Sequence, residues 1–422
     1  MFFAGAFIGS LILPRLADLY GRRPIYLFGL CLYALTAITY PLSRSLQLNF
    51  ALIFLGGISE SARYYVGFVY LQEMVPKHIQ TYTGLSIFIV HAIAKISYDL
   101  FFYKVTKNWM FIGFISIGFV LSAITSVILF LPESPRYLFS KGKVREARLS
   151  FKKMEMINMG NWFGQPKELD APSRGRESTF IEGRIETNPI IEQINELKFI
   201  PYVRRNPDYV VNIAVMMVNW ACSSFCFYLV PYFLSHQLGR TGNLNVFQLS
   251  LSQYAGELVA CLFSLVLARF FPSSKLALAF SHSLTVLAAL IFLLTDHTGT
   301  WQLIALFLCR FGVTTAFNLS YTIMRELFET LVRATSFGVC NVTARAITIS
   351  APVIAIASQP LPMIIVLCFS GLAGGLSLLV RPMDMTKGGA IGDGSKTNLA
   401  HDILIDDIID YQGPKAMELQ VQ

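Results

Sequence analysis

Seven ionisable residues stand inside long apolar stretches, and they are where this chain can do chemistry: Glu60, Arg63, Lys95, Asp99, Glu257, Arg310 and Arg345. A charge at the middle of a bilayer costs about 2.5–3.5 kcal/mol even on a lenient insertion scale, so each needs a partner or a wet cavity. Glu60 and Arg63 are three apart, and Lys95 and Asp99 four apart; each couple can neutralise itself on one helix face. Lys95 also stands close to His91 and can instead face a cavity. Glu257, Arg310 and Arg345 have no such local mate. A guanidinium in a low-dielectric cavity attracts a carboxylate and repels an amine, so Arg345 predicts reversible pairing with a ligand that carries negative charge, alone or beside a positive one. The competing reading is a structural pair between Arg345 and Glu257 or another acid.

Aromatic residues cluster on the same stretches: Tyr64, Tyr65, Trp220, Phe227, Tyr228, Tyr232, Tyr254, Phe317 and Tyr321. Such walls suit amphiphilic organic ions through face contacts and cation–π attraction, although most aromatics in an apolar chain serve packing or the lipid belt. The expected binding set is Arg345, Glu257, Lys95, Trp220, Tyr228, Tyr254, Tyr64 and Tyr321.

The elements that must position these groups follow from composition. Of 422 residues 54% are hydrophobic and 14% charged, mean hydropathy is +0.54, and 34 Phe and 18 Tyr accompany only 26 acids. So much apolar surface cannot be hidden in small water-soluble cores, which excludes a soluble enzyme, a disulfide scaffold and a disordered chain. The seven cysteines all lie in apolar stretches and read as small buried hydrophobes, the six histidines show no metal spacing, and no Walker loop occurs. No metal, cofactor or ATP-driven step is expected. The chain reads as an all-α polytopic membrane protein and not an enzyme.

Eleven apolar spans are predicted, at 1–14, 24–42, 48–72, 84–103, 109–131, 209–234, 246–271, 275–295, 301–324, 335–357 and 361–380. This divides the chain into an N-terminal bundle (1–131), a polar linker (132–208), a C-terminal bundle (209–381) and a tail (382–422). With the 14–23 loop, the linker and the tail on one side, that side holds 26 of the 34 basic residues; Arg44, Lys104, Lys107 and Arg240 lie opposite. The bias makes that side cytoplasmic, C-terminus included, and accounts for the net charge of +8 without nucleic acid. Within the linker, 144–156 reads as a basic amphipathic helix at the lipid surface, 189–199 as a second short helix, and 164–188 as a mobile stretch. The tail reads as disordered.

Acid-to-arginine pairs recur at the cytoplasmic ends: Asp18 with Arg22 and Arg23 around Gly21, Glu73, Glu133 to Arg136, and Glu326 to Arg333. Charge-assisted bonds of this kind can lock neighbouring helix ends and break when a bundle rocks. Their repetition in both halves points to a repeat architecture with paired gates.

The run DLYGRR (18–23) resembles the loop signature of the major facilitator superfamily, and LPESPRYLFSKGKVREA (131–147) resembles the segment that follows the sixth helix in its sugar porters and organic ion transporters. Asn219-Trp220 with Ser223-Ser224, the stretch 240–257, and CRFGVTTAFNLSYTIMRELFETLVRATSFGVCNVTARAITISAP (309–352) resemble the organic ion transporter family, the carriers of cations, anions and carnitine. That resemblance implies a 6+6 bundle of which the chain holds 11 helices. It also implies a bracing role for Arg310, and for Arg345 the position where anion and carnitine carriers have arginine. Pro14, Ile53, Gln80, Glu329 and the run 268–272 depart from the family pattern, so asymmetric or weakened gating is expected. The family's first helix and outer domain are expected upstream of a truncated chain.

The expected function is alternating-access transport of a small organic anion or zwitterion in a multi-pass membrane protein, with the plasma membrane favoured and the coupling ion unassigned. A non-transporting sensor or trafficking protein on the same scaffold, or a sugar porter-like carrier, is the alternative.

Overall fold

The computed structural model describes residues 1–76, 79–160, 162, 207–237, 246–270, 273–295, 300–328 and 330–381. The predicted helix at 189–199, the stretch 164–188 and the tail lie outside these residues, as do the side chains of Glu326 and Arg333.

Every apolar span forms a helical rod. In the N-terminal half these are α1 (Phe2–Tyr20), α2 (Arg22–Leu42), a third rod, α5 (Gln80–Lys104) and α6 (Trp109–Leu129). The third rod is built of α3 (Leu46–Ser61), a π-helical turn (Ala62–Val66) and α4 (Gly67–Met74). Two short helices follow on the linker side, α7 (Pro135–Ser140) and α8 (Val144–Asn158). The C-terminal half holds α9 (Pro207–Gln237), α10 (Val246–Phe270), α11 (Ser274–Leu294), α12 (Thr300–Leu327), α13 (Thr330–Thr348), α14 (Ala351–Ala355) and α15 (Leu361–Ser377). Among the described residues, eight helices are long and apolar enough to cross a membrane. The remaining three rods are the one divided by the π turn, α10 with its embedded Gln248, Gln253 and Glu257, and the 17-residue α15.

Local chemistry sets the ends. Ser45, Asn108 and Ser134 stand as N-caps of α3, α6 and α7, their side-chain oxygens accepting from Leu48, Met110 and Tyr137 N–H. The loop predicted over 14–23 is far shorter. Pro14 stays inside α1, and the chain turns at Gly21 alone, whose φ of +116° suits a residue without Cβ. The span predicted at 335–357 breaks between α13 and α14, ahead of Pro352.

Close approach of backbones builds the N-terminal half. Gly5 and Gly9 on α1 lie against Phe54, Ile58 and Ser61 of the third rod, Gly57 of that rod lies against Phe2 and Ala6, and a Cβ on Gly5 or Gly57 would collide with the carbonyl of Phe54 or Phe2. Ser61 Oγ donates to Ala6 O across the same contact (2.8 Å). The halves then meet along two seams, α1 against α13 and α5 against α10. One buried apolar cluster crosses between them, joining Leu85 and Phe88 of α5 to Trp220, Tyr321, Met324 and Ala344. Cys31 and Cys368, expected to be buried, face outward, while the other five cysteines are buried.

Candidate functional site

The embedded charges do not pair within their own helices. Lys95 Nζ donates to both carboxylate oxygens of Glu257 on α10 (3.0 and 3.1 Å), not to Asp99 one turn away. The reason is the α5–α10 seam, which turns the Lys95 face of α5 toward the other half. The same carboxylate takes Arg310 of α12 through Nε (3.0 Å) and Nη2, and lies 3.2 Å from His91 Nδ1. Arg310 also donates to the Phe227 carbonyl on α9, so it ties three helices of the C-terminal half together. Its guanidinium lies 3.6 Å over the Phe227 ring, whose centroid is also 4.8 Å from Lys95 Nζ; Tyr254 lies 5.6 Å from that ammonium.

Arg345, which has no mate on its own helix, pairs across the halves with an acid other than Glu257: Nη2 donates to Glu60 Oε1 of the third rod (2.9 Å), Nε to the Tyr65 phenol (2.7 Å), and Nη1 reaches the Tyr228 phenol at 3.4 Å. Glu60 therefore serves Arg345 rather than Arg63. The π turn begins between the two residues and breaks the three-residue spacing that a regular helix would give. Arg63 instead donates to Ser59 Oγ (3.1 Å) and stacks 3.9 Å over the Tyr33 ring.

Aromatic rings fill the space between the two networks. Trp220, only 1% exposed, has ring centroids at 4.6 Å to Tyr321, 4.8 Å to Phe337 and 6.3 Å to Phe317. Tyr321 meets Phe88 and Phe68 from the other half, and Tyr64 touches Tyr65 and Phe88. Tyr228 packs edge-on against Phe3 (4.9 Å), and Tyr103 lies tilted against Phe247 (5.2 Å), at the ends of the rods away from the linker. A cavity of about 260 Å³ lies elsewhere, lined by Phe2, Tyr33, Tyr40, Leu52, Trp109 and Ser116 among others, and none of the expected binding residues borders it.

On the linker side a charge cluster knits the helix ends. Arg22 pairs with Asp18 (2.7 Å) and Glu73 (3.2 Å). Glu133 does not pair with Arg136: its carboxylate caps the start of α2, accepting from Arg22 N–H (3.0 Å) and Arg23 N–H (3.2 Å). The opening amides of a helix need acceptors, and an acid there also meets the positive dipole end. Arg136 donates to Val75 O (3.2 Å), and Arg23 to the carbonyls of Val127 and Ile128. Tyr137 donates to Leu19 O (2.9 Å); burial pushes its phenol above the ordinary range, so it stays a neutral donor. Gln80, one of the departures from the family pattern, exchanges bonds with Gln72, each side-chain amide donating to the other's backbone carbonyl (3.0 and 2.8 Å).

Sequence reasoning singles out Arg345, Glu257, Lys95 and Arg310, which the structure joins in two buried networks, and leaves open an acid partner for Arg345 without naming Glu60. It gives Phe227 no part beyond the aromatic set, although its ring serves two cations. The available signal was the charge balance: Arg63, Lys95, Arg310 and Arg345 share two carboxylates, Glu60 and Glu257, in these networks.

The family description Major Facilitator Superfamily matches residues 1–352. Solute carrier family 22 member 15 of Xenopus tropicalis is 27% identical over 395 residues, covering 90% of this chain and 68% of that protein. Organic cation/carnitine transporter 2 of Mus musculus is 24% identical over 353 residues, covering 83% of this chain and 59% of its own length. In structure, the partially occluded inward-open xylose transporter XylE from E. coli superposes with a TM-score of 0.63 at 12% identity, over 90% of this chain and 85% of that one. The human organic anion transporter MFSD10 gives 0.53 at 17% identity, over 90% and 82%. These likenesses at low identity carry the fold, and the match over residues 1–352 carries the membership: the chain is a multi-pass membrane transporter that belongs to the Major Facilitator Superfamily.

Proposed function

We propose that the protein moves a small organic anion or zwitterion across the membrane by alternating access, with Arg345 meeting the negative group. One observation carries the reading. Among the described residues the one carboxylate on Arg345 comes from the opposite half, so parting the halves uncovers its guanidinium beside the Tyr228 phenol of its own half. A bare guanidinium in a low-dielectric cleft draws a carboxylate and excludes an ammonium. Lys95 is likewise uncovered when α5 leaves α10, whereas Glu257 keeps Arg310 within its own half. Both halves thus present a cation to the opened cleft. Trp220, Tyr321, Tyr64 and Tyr254 line the path with rings for the organic body. The cluster of Asp18, Arg22, Glu73 and Glu133 ties the linker-side helix ends of the N-terminal half into one unit that can move as a body; we assign that side, and the C-terminus, to the cytoplasm of the plasma membrane. The relatives' printed names, with organic cation and carnitine among them, favour an organic ion as cargo.

The test is uptake of labelled benzoate, carnitine and tetraethylammonium into vesicles holding the full chain, compared with Arg345→Ala. Uptake of benzoate or carnitine that the substitution abolishes supports the reading. Uptake of tetraethylammonium alone, or anion uptake unchanged by Arg345→Ala, overturns it.

A further inference from the structure

Glu60 stands between two guanidiniums. Its Oε1 takes Arg345 from the opposite half at 2.9 Å, while its Oε2 is buried and has no hydrogen-bond partner. Three residues further on, across the start of the π turn, Arg63 is held by a neutral hydroxyl and a tyrosine ring rather than by a carboxylate. A guanidinium at mid-depth without an acid is an expensive arrangement, and a buried carboxylate oxygen without a donor is another. Both sit on one rod, within electrostatic reach of each other.

We propose that Glu60 is a resident competitor for the anion site of Arg345, and that Arg63 is the positioning residue that receives it when the site is taken. This deepens the transport reading and rests on it. In the closed form the Glu60 carboxylate fills the place a substrate carboxylate would take. When a substrate anion arrives, a side-chain rotation carries Glu60 from Arg345 to Arg63. The exchange leaves every charge paired: Arg345 with the substrate, Glu60 with Arg63. A substrate without an anionic group cannot complete it, because displacing Glu60 would leave Arg345 bare. Selectivity for a negative group therefore comes from the exchange as well as from Arg345 itself. A resident competitor lowers apparent affinity by the fraction of sites it holds, and its removal restores that fraction.

Two measurements on the full chain in vesicles test this. The first is the KM for labelled benzoate. Glu60→Gln lowers it about tenfold, as expected for losing a competitor that holds nine sites in ten. Arg63→Gln raises it, because the displaced carboxylate has nowhere to go. In Glu60→Gln/Arg63→Gln the Arg63 effect disappears, since there is no carboxylate to receive. An unchanged or raised KM in Glu60→Gln, or an Arg63 effect of equal size with and without Glu60, overturns the proposal. The second measurement needs no substrate. Phe3 and Tyr232 face each other across the halves with ring centroids 6.2 Å apart, so cross-linking of F3C to Y232C by a short bifunctional thiol reagent, scored above the background of the same protein without the two substitutions, reports closure. Arg63→Gln should raise the yield and Glu60→Gln lower it; equal yields in both overturn the latch. If the wild-type protein carries no anion, it is the transport reading that fails, and the cross-linking result still decides the role of Glu60.

Discussion

Lys95 Nζ and Glu257 Oε1 lie 3.0 Å apart although 162 residues separate them, and the contact joins the two halves. Glu60 and Arg345 do the same along the second seam with the polarity reversed, the N-terminal half giving the acid. The halves are thus held by two ion pairs of opposite sense, each made of groups that would be costly in lipid alone.

Two of the three partners of Glu257, Lys95 and Arg310, predict unequal losses. Glu257→Gln strands both Lys95 and Arg310, and breaking a buried pair in this way costs about 3–5 kcal/mol. Lys95→Met removes only the cross-half bond and leaves Arg310 on its carboxylate. In thermal unfolding of the detergent-solubilised protein, Glu257→Gln should lower Tm far more than Lys95→Met. Equal losses would mean that Lys95 carries the site.

At the linker side, Gly21 and Glu133 form one device. A Cβ on Gly21 would run into the Glu133 carboxylate, and φ of +116° disfavours any L side chain. Gly21→Ala should therefore lower the folded yield, while Glu133→Gln should cost about 1 kcal/mol as a weakened cap. Hydrogen exchange at the Arg22 and Arg23 amides checks the second outcome. Faster exchange there with the rest unchanged is the expected result.

Trp220 separates packing from recognition. Trp220→Ala removes a fully buried ring among Phe317, Tyr321 and Phe337 and should cost about 3–5 kcal/mol in thermal or denaturant unfolding. Trp220→Phe keeps an aromatic surface and should fold. In the folded Trp220→Phe protein, the KM for benzoate should shift more than that for an aliphatic carboxylate such as butyrate. Equal shifts would make the ring a packing element only.

Much of this architecture was legible in the residues because lipid leaves little choice. An apolar run near 20 residues long must be helical, and all eleven runs are, although that at 335–357 breaks in two and that at 48–72 carries a π turn. Caps at Ser45, Asn108 and Ser134 follow the same local logic. What sequence could not give was partner choice. Spacing by three or four predicts pairs on one helix, yet α5 meets α10 and the third rod meets α13 through α1 and Tyr65, so Lys95 and Glu60 find acids and bases far along the chain. The π turn at 62–66 carries no composition signal, and it is what separates Glu60 from Arg63. Glu133 was misread for a related reason: its carboxylate serves backbone amides, which no side-chain pattern announces.

The most direct test of the account removes both charges of the Glu60–Arg345 pair together, so that neither is left stranded in the membrane. Benzoate uptake is measured in Glu60→Gln and in Glu60→Gln/Arg345→Gln, at matched protein density. The prediction is tight, saturable uptake by the first and none above empty vesicles by the second. Uptake by the double variant with the KM of the single one would show that Arg345 does not hold the anion.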